Sequence, residues 1–399
     1  MSAPLVDRVR RRLIDGAESG AGMAGGSSRA PLSGVAAAIR DEGVVLGDEQ
    51  LLELVSSLRD EFQGAGPLQP LLRDPDVTDV LVNGPHEVWV DRGHGLERAD
   101  VDFPDAEAVL RLGQRLASAA GRRLDESAPF VDARMPDGTR VHAVIPPIAS
   151  PGTILSLRIP RRRAFTLRDL VDTSTVSEWG ARWIQAIVQA RLAFLITGST
   201  GSGKTTILNA ILGLVPHDER IVIVEDSGEL RPDHPHAISL EARPPNVEGA
   251  GLVSLRDLVR QALRMRPDRV VVGEVRGAEV VDLLAALNTG HEGGCGTVHA
   301  NSPADVPARL EALGLMAGLP RDAVHALASV GLHACLHVAR TPRGRRVTGI
   351  HVVTFDGDGR VITVPALVLR DDGLVPADGA DALRQMIEAR GVAAPGDDR

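Results

Sequence analysis

The sequence predicts an α/β fold in which a mostly parallel sheet, covered by helices on both faces, follows a smaller α/β domain. Three observations predict it. The all-apolar segments Leu192–Ile196, Ile221–Val224 and Val270–Val272 alternate with helix-like stretches, as strands buried on both sides do. A glycine-rich loop, Thr197–Gly203, joins the first of them directly to the helical segment Lys204–Leu214. Upstream, short segments are separated by turn residues, as in a small domain of hairpins.

Taken in order, residues 1–48 contain a Gly-, Ala- and Ser-rich stretch, Gly16 to Gly34, and read as a mobile arm. Leu51, Leu52, Val55 and Leu58 set the spacing of an amphipathic helix over Glu49–Phe62. Asp79–Val82 and Glu87–Asp91 flank Asn83-Gly84-Pro85 as a hairpin. A helix over Ala106–Ala120 and strands at Arg140–Ile145 and Thr153–Ile159 complete an amino-terminal domain over residues 49–160. Residues 161–176 read as a linker, and the Arg161-Arg162-Arg163 run as its solvated face rather than a nucleic-acid or lipid patch. A helix at Glu178–Ala190 opens the second domain, residues 177–399. Val347–Leu369 reads as a hairpin around Asp356-Gly357-Asp358-Gly359, and the polar end of the chain as frayed.

The 399 residues, 43% hydrophobic and 24% charged, suit a globular protein of two or three domains. No run approaches the roughly 20 apolar residues of a membrane span. The Arg-rich start has no apolar segment behind it, so a secretory signal is not expected and the cytoplasm is. Cys295 and Cys335 are too few for a disulfide framework. A net charge of -9 and an aromatic content of 2% argue against nucleic acid as the main partner, since such binding draws on basic surplus and stacking. Lys204 is the only lysine among 44 basic residues. It stands where a compact ammonium suits the chemistry better than a planar guanidinium.

Gly198-Ser199-Thr200-Gly201-Ser202-Gly203-Lys204-Thr205 matches the phosphate-cradling pattern GxxxxGK[ST] in full, between a strand and a helix. Glycines let successive N–H groups approach phosphate oxygens, and the helix N-terminus adds partial positive charge. Lys204 reaches the β- and γ-phosphates of ATP, and the Thr205 hydroxyl meets Mg²⁺. The nucleotide-binding set is Gly198, Ser199, Thr200, Gly201, Ser202, Gly203, Lys204, Thr205 and Thr206. A glycine turn that binds nothing is the rival reading, and the register of strand, loop and helix opposes it. Two strand ends supply acids: Glu225-Asp226 with Glu229, and Glu274 with Arg276 and Glu279. Such carboxylates cap the next helix or serve a ligand at the sheet rim, and the neighbouring loop favours the second. His291 and His299 lie in a glycine-rich stretch without metal-ligand spacing, which reads as a loop sensing the nucleotide.

These segments, in this order, resemble the secretion ATPases of type II and type IV systems, and within them the tight-adherence (Tad) and CpaF-like branch. The P-loop, Val224-Glu225-Asp226 with Glu229-Leu230, Gly273-Glu274-Val275-Arg276, and Gly296-Thr297-Val298-His299-Ala300-Asn301 match the family's Walker A, Asp box, atypical Walker B and His box. Upstream, Gly66-Pro67-Leu68, Val82-Asn83-Gly84-Pro85, Asp125-Glu126-Ser127, Val131-Asp132-Ala133-Arg134 and Pro136-Asp137-Gly138-Thr139-Arg140 match as well. His142 departs from the usual Asn, and Gly294-Cys295-Gly296 from the usual approach to the His box. The resemblance implies a RecA-like ATPase domain behind a smaller α/β domain, in a homo-oligomeric, hexameric ring. It implies a motor that hydrolyses ATP with Mg²⁺ at the inner face of the membrane, against inner-membrane platform proteins, for pilus assembly or protein secretion. Conjugation-type transfer of DNA or protein is the alternative, and a nucleotide-binding regulator with little hydrolysis a third. Glu225 or Glu229 would orient the attacking water, and Glu274 would act on Mg²⁺ directly or through water, alongside Thr205. His299 would sense the γ-phosphate, and Arg134, Arg140 and Arg158 would reach the nucleotide.

Overall fold

The structure, a computed structural model, describes residues 64–93, 95–150, 152–160, 164–243, 245, 250–371 and 373–396. The expected arm, the helix over 49–62 and the arginine run at 161–163 lie outside these residues. The chain forms two units, Met1–Arg162 and Arg163–Arg399.

In the first unit a short 3-10 turn leads into α1 (Gln69–Arg73). Then come β1 (Asp79–Gly84), β2 (Glu87–Asp91), β3 (Leu96–Arg98), α2 (Ala106–Ala119), β4 (Phe130–Arg134), β5 (Arg140–Val144) and β6 (Ile154–Arg158). The strands form one sheet in the order β3-β2-β1-β6-β5-β4, and each of their pairings is antiparallel. Period-two alternation decides which face is covered. Val80, Val82, Val88, Val131, Val141, Leu155 and Leu157 point to one side and pack with Val109, Leu112 and Leu116 of α2. Asp105 starts that helix by accepting from the amide of Ala108 at 2.7 Å.

The second unit holds α3 (Leu167–Asp172), α4 (Glu178–Gln189), β7 (Phe194–Gly198), α5 (Lys204–Leu212), β8 (Ile221–Glu225), β9 (Ala237–Glu241), α6 (Leu255–Ala262), β10 (Arg269–Val275), α7 (Glu279–Leu287), β11 (Cys295–His299), α8 (Val306–Met316), α9 (Arg321–Gly331), β12 (Ala334–Thr341), β13 (Gly344–Phe355), β14 (Val361–Arg370), β15 (Gly373–Pro376) and α10 (Ala380–Glu388). Its nine-stranded sheet runs β15-β14-β13-β12-β7-β11-β10-β8-β9. The six strands from β12 to β9 pair in parallel, and β13 to β15 extend the sheet antiparallel. Alternate residues feed two cores. Phe194, Ile196, Ile221 and Ile223 meet α4 and α5 on one face. Leu195, Val222, Val224 and Val272 meet α6 to α9 on the other. Each of these fully buried apolar side chains contributes about 1.5–3 kcal/mol.

Within the stretch read as linker, Leu167–Asp172 are helical: Thr166 and Asp169 form a reciprocal capping box that starts α3, and Leu170 anchors it in the core. The described residues up to 396 pack against the core, and the last three residues, to which the expected fraying also applied, lie outside the described residues. Leu383 and Ile387 of α10 are buried, Val392 and Ala394 pack on the same core, and Trp179 Nε1 donates to the Gly396 carbonyl at 2.8 Å. Among the described residues no helix is long and apolar enough to cross a membrane.

Candidate functional site

The chemistry-bearing residues of the second unit gather at the carboxyl ends of β7, β11, β10 and β8, the rim where open parallel sheets hold ligands. Gly198 closes β7, Ser199 to Gly203 form the loop, and Lys204, Thr205 and Thr206 make the first turn of α5. Gly203 caps that helix at φ 101°, a left-handed conformation that favours glycine. Ser199, Thr200 and Gly201 are exposed at the loop tip, whereas Ser202 is buried.

Lys204 is only 7% exposed. Its Nζ donates to the carbonyls of Gly198 at 3.1 Å and Ser199 at 2.9 Å, and to Nδ1 of His299 at 3.3 Å. An ammonium only donates, so Nδ1 accepts and the ring hydrogen sits on Nε2, which faces Oε1 of Glu274 at 2.5 Å. Lys204, His299 and Glu274 therefore stand in one row, the ammonium bonded to the near ring nitrogen and the carboxylate in ion-pair contact with the far one. Register brings them together. His299 lies opposite Gly198 in the β7–β11 pair, and Val275 opposite Val298 in the β10–β11 pair. Burial pushes the Lys204 ammonium below its ordinary range, while the charge of Glu274 pulls the other way. A desolvated cation at the head of a helix whose first N–H groups are free of helical partners fits an anionic, phosphate-bearing ligand. No group of three or more His, Cys, Asp and Glu among the described residues could hold a metal. The Thr205 hydroxyl and the Glu274 carboxylate are hard oxygen donors, a set that suits Mg²⁺, which takes few protein ligands and completes its shell with phosphates and waters.

The two remaining acids separate sharply. Glu225 is 4% exposed, and its carboxylate accepts from the amides of Glu229 at 3.1 Å and Leu230 at 3.1 and 3.2 Å. Glu229 is exposed. Arg276 pairs with Asp226 at 2.5 Å, and Glu279 accepts from the amides of Arg276 and Gly277, which fixes the turn after Glu274.

The three arginines singled out upstream belong to the first unit and stand side by side there. Arg134 is opposite Arg140, and Arg140 opposite Arg158, across β4, β5 and β6. All three lie on the sheet face opposite the one that packs on α2, with Asp79 the next residue in the row and 3.5 Å from Arg158. Guanidinium groups carry several donors in a planar fork, a chemistry that suits a phosphate or carboxylate ligand.

A family model described as "Type II/IV secretion system protein" matches residues 61–362. The chain belongs to this family. Among its relatives, the Mycobacterium tuberculosis (strain ATCC 25618 / H37Rv) protein named "Putative conjugal transfer protein Rv3659c" is 52% identical over 352 residues, 87% of this chain and 99% of that one. "Conjugal transfer protein TrbB" of Rhizobium radiobacter is 32% identical over 299 residues, 74% and 88% of the two chains. The X-ray structure of the Legionella pneumophila ATPase DotB is similar in fold, with a TM-score of 0.51 at 20% identity over 73% of this chain and 81% of that one.

In this secretion-family chain the structure adds residues that sequence reasoning missed. Arg345 of β13 donates from Nε to the carbonyl of Gly201 at 3.0 Å, on the P-loop itself. His337 of β12 meets the Thr197 hydroxyl through Nδ1 at 2.8 Å, and Thr297 donates to the carbonyl of Gly273 at 2.7 Å. The signal for Arg345 lies in pairing, not in local sequence. β12 runs parallel to β7 from Ala334 opposite Phe194 to His337 opposite Thr197, so its continuation into β13 passes the loop.

Proposed function

We propose that this chain is an ATP-hydrolysing motor of a secretion or pilus-assembly machine, working as a homo-oligomeric ring at the cytoplasmic face of the membrane against platform proteins of the inner membrane. The observation that carries the proposal is the buried Lys204 ammonium, held by P-loop carbonyls and linked through His299 to Glu274. Lys204 turns from these partners to the β- and γ-phosphates and stabilises the charge that develops as the terminal phosphoryl group leaves. Thr205 and Glu274 would hold Mg²⁺, directly or through water, and the ion would supply further neutralisation of that charge. Glu229, exposed beside the capped end of β8, orients the attacking water. His299 loses its Lys204 donor when phosphate arrives, so its ring reads whether the site is filled and transmits that to Glu274. The arginine row of the first unit is the second phosphate-binding element.

A conjugation-type motor is the second reading, and the conjugal-transfer names of two relatives favour it. Phosphate release from MgATP tests the enzyme. Glu274→Gln keeps the shape and removes the charge, so it binds ATP with near wild-type affinity and releases little phosphate. An unchanged rate in that variant removes Glu274 from the mechanism. A strain lacking the gene, scored for surface fibres, secreted protein and DNA transfer, separates the two readings.

A further inference from the structure

We infer that Glu225 and Asn209 are positioning residues, a two-point clamp that fixes the loop bearing Glu229 to the P-loop helix; this rests on the hydrolytic reading above. The loop in question, residues 226–231, follows Glu225, the last paired residue of β8. Both carboxylate oxygens of Glu225 are spent on it, accepting from the amides of Glu229 and Leu230. At 4% exposure, with its charge offset by backbone donors, Glu225 is poorly placed to meet a water or a metal. One residue further on, the Arg231 amide donates to Oδ1 of Asn209 at 2.8 Å. Asn209 sits in the middle of α5, the helix that begins with Lys204. Glu229 is thus bracketed: its own amide is bound by the end of β8, and the amide two residues later is bound by the helix that carries the phosphate cradle.

The clamp also reaches the next acid. Val224 lies opposite Val272, which sets Glu225 beside Gly273, the residue before Glu274. A Cβ on Gly273 would stand 2.6 Å from Glu225 Cγ, so the absent side chain is the space the carboxylate stem fills. On the other side, the Gly273 carbonyl takes the Thr297 hydroxyl two residues before His299. One packed layer therefore sets the spacing between Glu229, Glu274 and Lys204. A misplacement of about 1 Å at such a point lowers a rate by about 100-fold without touching ground-state binding.

The test compares Asn209→Ala, Asn209→Asp and Glu229→Gln in the full chain, by steady-state hydrolysis of MgATP with folding followed by thermal melting. Asn209→Ala is expected to lower kcat about 10-fold or more with KM for ATP within about 2-fold, because only the transition-state geometry is disturbed. Asn209→Asp keeps the acceptor for the Arg231 amide and restores kcat. Wild-type kcat in Asn209→Ala, or an Asn209→Asp protein as impaired as Asn209→Ala, overturns the clamp. Normal turnover in Glu229→Gln instead removes the hydrolytic role given to Glu229, and a wild-type chain that releases no phosphate overturns the proposed function itself.

Discussion

Lys204 concentrates the chemistry of the molecule in one side chain. It is the only lysine in the sequence, and burial lowers the affinity of its amine for a proton while its partners are two carbonyls, an imidazole and, beyond that, a carboxylate. Such a site holds a cation at a cost that an anionic ligand offsets. Lys204→Ala therefore leaves the fold intact and removes turnover, with a loss of about 3 kcal/mol or more of transition-state stabilisation. Phosphate release alongside thermal melting checks both halves; a folded variant that hydrolyses ATP at the wild-type rate refutes the assignment. The residue scale is also where the sequence was most legible. GxxxxGK[ST] names its own backbone geometry, so Gly198 to Thr205 could be placed before any strand was paired. Choosing between Glu225 and Glu229 could not be done that way. The two are four residues apart and chemically alike, and only burial against Gly273 distinguishes them.

The elements were legible in proportion to how local their signals are. Continuous apolar runs gave β7, β8 and β10, and the Asn83-Gly84-Pro85 turn gave the first hairpin. β9, β11, β12 and β15 were not foreseen, because short strands such as Gly373–Pro376 owe their existence to a neighbour already in place. α3 was missed for a similar reason: a six-residue helix is marginal alone and persists through its capping box and buried Leu170. At this scale the row Arg134, Arg140 and Arg158 separates function from stability. Arg140 is exposed at the start of β5, so Arg140→Ala changes the stability of the first unit by no more than about 1 kcal/mol. Turnover falls about 10-fold or more if the row meets phosphate, as guanidinium groups at transferring phosphoryl groups do. Melting curves and specific activity, measured on one preparation, read the two effects apart. Normal hydrolysis by Arg134→Ala, Arg140→Ala and Arg158→Ala alike excludes the row from the reaction.

Across the whole molecule, one half-buried histidine links the sheet of the second unit to the segment beyond α10. His333 accepts from the amide of Ala193 through Nδ1 and contacts Arg390, just beyond α10, through Nε2. Burial pushes His333 down to about 4 from an ordinary 6.5, and burial does the same to His351. Both are neutral in the folded chain at pH 7, whereas the unfolded chain takes up their protons below about 6.5. Unfolding thus binds protons between pH 6.5 and about 4, so stability falls as pH drops through that window. Melting temperature measured against pH shows that slope, and His333→Gln flattens part of it. A slope identical in the variant assigns the acid sensitivity elsewhere. A reagent that acylates primary amines finds one side-chain target in the entire chain, and that target lies inside the phosphate cradle. Bound nucleotide would shield it further, so the fraction of the Lys204 peptide left unmodified rises with occupancy of the site, with no engineered reporter.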